Sequence, residues 1–124
     1  MMAVMKDGMG SAFGIEWAIV QAQMDAGCQV QWAGDKARVD FDVGACHVLV
    51  QECPNGGYFI EASYQAGADS GESLALMHAL SEKRIGRDVE SRSDGIEVGG
   101  VNDANELRKA LYVILSQNKK PVKR

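Results

Sequence analysis

Arg38-Val39-Asp40-Phe41-Asp42-Val43-Gly44-Ala45-Cys46-His47-Val48-Leu49-Val50-Gln51-Glu52 is the stretch that decides the fold. Val39, Phe41 and Val43 alternate with Arg38, Asp40 and Asp42. Successive side chains of an extended chain point to opposite faces, so this period of two predicts a half-buried antiparallel strand. Gly44 marks the turn that follows. His47 to Gln51 is apolar enough to be a central strand.

The same pattern continues on both sides. Pro54-Asn55-Gly56-Gly57 is the strongest turn signal in the chain. After it, Tyr58, Ile60, Ala62 and Tyr64 alternate with Phe59, Glu61 and Ser63. Upstream, Cys28, Val30 and Trp32 alternate with Gln29, Gln31 and Ala33 before a Gly34-Asp35 turn. Together these segments predict a meander of three to four strands.

Helical signals flank the meander. Ser11 can cap a helix running to about Met24, with Phe13, Trp17, Val20 and Met24 on one face and Gly27 as its stop. A linker at 66–71 leads into a second helix, for which Asp69 and Glu72 have the form of a capping box. Leu74, Met77, Leu80 and Ile85 are its expected inward residues, Lys83 and Arg84 suit its C-terminal dipole, and Gly86 ends it. Val89–Ser91 and Ile96–Val98 flank Asp94-Gly95 as a short hairpin. Asp103 and Glu106 form a second capping box before the clearest helical stripe, Leu107, Ala110, Leu111, Ile114 and Leu115, which Asn118 and Pro121 close. The expected class is α+β: an antiparallel sheet (meander of three to four strands plus a short hairpin) packed by three amphipathic helices. Residues 1–10 form a loosely ordered start, 11–118 a single domain and 119–124 a basic tail.

Bulk composition narrows the function classes. At 124 residues with 46% hydrophobic and 24% charged residues, the chain suits one domain with a core of its own. Few residues are aromatic, so Trp17, Trp32, Phe41, Tyr58 and Tyr64 are expected to carry much of the bulky packing. Net charge is −4, yet Lys119, Lys120, Lys123 and Arg124 all lie in the tail; without them, 9 basic residues face 17 acidic ones. A body so acidic disfavours direct nucleic-acid binding, which needs cations to neutralise phosphates. The start of the chain has no apolar run after a basic segment, and no stretch has the length of a membrane span, so the reading is cytoplasmic and away from the membrane.

The residues that could carry chemistry resolve into structural roles. Cys28, Cys46 and Cys53 have no metal spacing, and Cys46 and Cys53 would sit at opposite ends of one strand, too far apart for a disulfide. They read as free, partly buried thiols. Neither His47 nor His78 has a Cys, Asp or Glu at a helical or strand spacing that completes a ligand set. Asp40 and Asp42 share a strand face and could hold a cation or act as acid and base, but Arg38 is on that face too and a wet face is the simpler reading. No serine occupies a strand-turn-helix elbow, and no glycine run has the form of a phosphate loop. The chain therefore reads as a protein that is not an enzyme, with no catalytic residue, no cofactor and no metal.

Its surface is more suggestive. Val48 and Val50 oppose His47 and Leu49, while Phe59 points away from Tyr58 and Ile60, so the central strands carry apolar residues on both faces. Val48, Val50 and Phe59 are accordingly the expected apolar contacts with a partner protein. Asp40, Asp42 and Glu61 are the carboxylates suited to a basic target.

The layout also resembles a known family. Arg38-Val39-Asp40-Phe41-Asp42, Val48-Leu49-Val50-Gln51-Glu52 and Tyr58-Phe59-Ile60-Glu61-Ala62 look like the central meander of the small acidic chaperones of type III secretion, and Asn105-Glu106-Leu107 through Leu115 looks like their closing helix. The resemblance covers residues 11–118 in layout and texture. The chain departs from it in the extra strand-like stretch Cys28–Ala33 and in the short, polar later strands. The resemblance implies a homodimer whose apolar sheet patches hold an extended segment of a client, and it implies no catalytic residues. The alternative class is a small acidic inhibitor or immunity-type protein, encoded by a mobile element or toxin system, that blocks a nuclease or a nucleic-acid-binding complex.

Overall fold

The computed structural model describes residues 10–35, 37–54, 56–64, 70–92 and 94–118. Its elements, in order, are α1 (Gly10–Ala26), β1 (Trp32–Gly34), β2 (Arg38–Val43), β3 (Cys46–Glu52), β4 (Tyr58–Tyr64), α2 (Ser70–Glu82), β5 (Asp88–Arg92), β6 (Gly95–Val101) and α3 (Ala104–Asn118). The expected α+β class stands. The strands form one six-stranded antiparallel sheet in the order β1-β2-β3-β4-β6-β5. The late hairpin is therefore not separate: β6 pairs with β4 and carries β5 to the outer edge.

Register converts the alternation into two faces. Val39, Val50, Ile60 and Val98 stand in one row across β2, β3, β4 and β6, and Phe41, Val48, Ala62 and Ile96 in the next. Val43, Cys46 and Tyr64 make a third. All of these side chains are buried. The helices cover this face, and no described element covers the other, the economical solution for a sheet with one apolar side.

Helix α3 follows the sequence expectation closely. Leu107, Ala110, Leu111, Ile114 and Leu115 have no exposed surface. Asp103 caps it, its Oδ1 accepting from the Glu106 backbone N–H at 2.8 Å. The second half of the expected box differs: Glu106 accepts from the backbone N–H of Asn102 through Oε1 and of Gly86 through Oε2, at 2.9 and 2.8 Å. One carboxylate thus ties the segment after α2 to the start of α3. At the other end Asn118 is buried, donates through Nδ2 to the Ile114 carbonyl at 2.9 Å, and accepts from the Tyr64 hydroxyl at 2.9 Å.

The other two helices turn differently from expectation. In α1 the buried residues are Ile15, Ala18, Ile19, Ala22 and Ala26, whereas Val20 is 39% and Met24 69% exposed, and Trp17 is half-buried. The reason is close packing on α3, which favours the small-residue side of α1. Gly14 on the same helix meets the sheet as closely, since a Cβ there would overlap the Tyr58 hydroxyl of β4. The helix also starts at Gly10, so Ser11 lies inside it rather than capping it, while Gly27, at φ +70°, ends it as expected. In α2 the inward residues are Ser73, Leu76 and Leu80, followed by Ile85, and Leu74 is 48% exposed. The expected Asp69–Glu72 cap, the start at 1–9 and the tail at 119–124 lie outside the described residues.

Turns follow the glycines with one displacement. Gly44, at φ +60°, opens the two-residue β2–β3 turn, and a Cβ there would also press on the Asn118 carbonyl. Arg92 pairs with Gly95, so the β5–β6 turn falls one residue earlier than Asp94-Gly95 and Gly95 already belongs to the strand. Cys28 to Gln31 is irregular, and only Trp32–Gly34 of the expected first strand is paired.

The cysteines are all free. Burial pushes the Cys46 thiol up to about 12, and burial likewise raises Tyr64 beside it. A thiol of this kind keeps its proton and is a poor nucleophile.

Two outcomes test this arrangement. Arg84 is the one described non-glycine residue with positive φ, at 57°. Arg84→Gly should therefore stabilise the fold by about 1 kcal/mol, the cost of a left-handed L-residue, read as a raised urea midpoint with an unchanged slope. For Cys46, the folded value lies above the ordinary thiol value of about 8.5, so the folded state holds the proton more tightly. Its contribution is complete below that ordinary value and is lost as pH climbs toward the folded one. The urea midpoint should fall progressively above about pH 9, and Cys46→Ala should flatten that decline. A thiol-reactive dye at neutral pH should label Cys28 and Cys53 and reach Cys46 only after denaturation.

Candidate functional site

The open face of the sheet is built by the residues that alternate with the core rows. Asp40, Leu49, Glu61, Glu97 and Glu90 follow one another across β2, β3, β4, β6 and β5 in direct register. Asp42, His47 and Ser63 form the neighbouring row toward one end, and Arg38, Gln51 and Phe59 the row toward the other. Asp88 shares the side of β5 that carries Glu90. Arg38 is the lysine or arginine of this face among residues whose side chains are described.

Three glutamates, Glu61, Glu97 and Glu90, stand opposite one another in adjacent strands and concentrate one sign of charge on this face. Glu61 and Glu97 are half-buried and Glu90 is exposed. Leu49 and Phe59 are half-buried between these polar neighbours.

His47 lies against two carboxylates of the face. Its Nδ1 lies 2.7 Å from Asp42 Oδ1, and its Nε2 lies 3.7 Å from Asp40 Oδ2. Asp42 is its direct cross-strand partner and Asp40 lies two residues along the same strand. Sequence spacing within a single segment could not find this constellation, because β2 and β3 create it by folding back at Gly44. The two carboxylates address different ring nitrogens rather than converging on a point. Among the described residues, no group of three His, Cys, Asp or Glu side chains is placed to hold a metal ion.

The expected partner-binding residues divide between the two faces. Asp40, Asp42, Glu61 and Phe59 are on the open face together. Val48 and Val50 are not: both have 0% exposure and lie in the core rows beneath the helices. They are corrected from surface contacts to core residues, and Leu49 takes their place as the apolar neighbour of Phe59. Glu90, Glu97 and His47 are the members of the face that the sequence reading missed. The alternation of Asp88-Val89-Glu90-Ser91 was visible, but that β5 closes the row beside Glu97 depends on the β4–β6 pairing. His78 is exposed on α2, away from this face.

A hollow of about 300 Å³ lined by Ala33, Gly34, Asp35, Arg38 and Asp40 opens at the β1 edge. A larger cleft is on the helical layer, lined by Asp25, Lys83, Asn105, Arg108, Lys109 and Tyr112. No helix among the described residues is long and apolar enough to cross a membrane. In comparisons with known proteins, no family model, no curated protein and no solved structure matches this chain.

Proposed function

We propose that this chain works by binding another protein, and that the open face of its sheet receives a basic surface of that partner. The observation that carries the reading is the registered row Asp40, Glu61, Glu97 and Glu90 on a sheet face that no described helix covers. A partner presenting lysines and arginines gains charge complementarity with these carboxylates over a broad area. Phe59 and Leu49 supply an apolar centre among the charges. A protein that binds nucleic acid has the matching basic surface, so the natural consequence of docking is that its nucleic-acid site is blocked. This is the inhibitor or immunity-type class of function.

A second reading is an escort of the type III secretion chaperone kind, holding an extended client segment. It is supported by the element order of helix, one short and three longer strands, helix, two strands and helix. It is also supported by the exposed apolar stripe of Val20 and Met24, beside a shallow cleft that Gln23, Gly27, Cys28 and Gln29 complete. On this reading the chain is a homodimer and α1 takes part in the client groove.

Two charge-neutralised variants separate the face from mere acidity. Glu61→Gln/Glu90→Gln/Glu97→Gln and Glu16→Gln/Glu72→Gln/Glu82→Gln remove equal charge from the sheet face and from the helical layer. Against the protein captured from the native host, the first should weaken binding at least about tenfold and flatten its salt dependence. The second should bind as the parent does. Equal behaviour of the two variants would sink the sheet-face reading. The escort reading instead requires twice the chain mass by light scattering and loss of client on Met24→Glu with the sheet-face variant unaffected.

A further inference from the structure

We propose that the cleft on the helical layer between Lys83, Arg108 and Lys109 is a binding site for a soluble phosphate monoester. The site is independent of the acidic sheet face and lies on the other layer of the molecule.

Asn105, Arg108, Lys109 and Tyr112 recur at three- and four-residue spacings, which places them on one face of α3. That face is opposite the buried stripe, and its residues line a cleft of about 730 Å³ with Asp25 from α1 and Lys83 from the end of α2. Three cations and one carboxylate therefore share the cleft in a chain whose net charge is −4. Asn105 and Tyr112 add an amide and a phenol that can donate to oxyanion oxygens. Tyr112, 36% exposed, also offers a ring edge or face to whatever carries the phosphate.

Arg108 is already held in place. Its Nε and Nη2 donate to the two carboxylate oxygens of Asp25 at 2.8 and 3.1 Å, and its guanidinium lies 5.7 Å from the Trp17 ring centroid. The Arg108 hydrogen bonds hold the Asp25 carboxyl below its usual value, so the carboxylate stays charged. The pair fixes one cation before a ligand arrives, which lowers the ordering cost of binding. Lys83 and Lys109 are exposed and mobile in their stems, free to close on a compact anion. A doubly charged phosphate monoester matches the excess of two positive charges; a singly charged carboxylate leaves one of them uncompensated.

Amide NMR of the full chain tests this with phenyl phosphate and inorganic phosphate, each compared with sodium chloride at matched ionic strength. Both phosphates should give saturating shifts centred on residues 83 and 105–112, with phenyl phosphate the tighter through Tyr112. Lys83→Ala/Lys109→Ala should weaken binding about tenfold or more, while Lys83→Arg/Lys109→Arg should retain it. All four substitutions are at exposed positions, and an unchanged spectrum elsewhere verifies the fold. Shifts that never saturate or that sodium chloride reproduces would overturn the proposal. So would saturation unaffected by the alanine pair, or capture by phosphatidic-acid vesicles without any response to the soluble phosphates.

Discussion

Leu107, Ala110, Leu111, Ile114 and Leu115 have no contact with solvent, and all five lie along a single helix that has the sheet on one side and two other helices against it. Burying a side chain of leucine size is worth about 1.5–3 kcal/mol, so this stripe is a concentrated source of stability. Its placement is not left to apolar contact alone. Glu106 fixes the N-terminal end through two backbone amides from separate segments, and Asn118 fixes the C-terminal end through Tyr64. Apolar burial supplies the energy, and these polar ties choose the position. Moving α3 along its axis would break both ties at once, leaving groups in the interior without partners.

Cover from one side has a consequence for the rest of the molecule. Once α3 and its neighbours take the rows that contain Val48 and Val50, the alternate positions of β2, β3, β4, β6 and β5 lie on the other face, half-buried or exposed for the most part. Solvation requires only that those positions be polar. The chain places Glu61, Glu97 and Glu90 side by side, with Asp40 in the same row. One sign of charge gathered on a surface with many alternatives is the kind of pattern expected where function, as well as folding, sets the residue.

The parts of this fold that were legible in the sequence share a property: one period fits them and competing periods do not. The alternation of Val39, Phe41 and Val43, and the stripe from Leu107 to Leu115, each admit one buried face. Helix α1 admits several. Its apolar residues run nearly all the way round, so spacing could select Val20 and Met24 as readily as Ile15, Ala18, Ile19 and Ala22. What selects the second set is the size of the residues against a close neighbour, a tertiary fact. The same limit applies to the strands. A continuous run such as Val48-Leu49-Val50 does not say which parity faces inward, and the partner residues Val39, Ile60 and Phe41 settle it. His47 was invisible as a partner of Asp40 and Asp42 because cross-strand register, not chain spacing, brings them together.

Net charge is a poor guide to what such a molecule presents. The value of −4 is a sum over unlike layers. On the sheet side carboxylates stand in rows, whereas on the helical side Lys83, Arg108 and Lys109 gather at one cleft. The sheet is thick enough, with its apolar core and helices, to separate the two by more than the roughly 10 Å over which salt screens exposed charges at 0.1 M. Each layer therefore acts on approaching molecules through its own field. On the readings proposed above, a basic partner would meet the sheet and a phosphate the cleft, and neither would weaken the other by direct electrostatics. These separate arrangements follow from the same one-sided cover that fixed the core: the sheet face and the outer helix faces share no side chains, so each is free to carry its own pattern of charge.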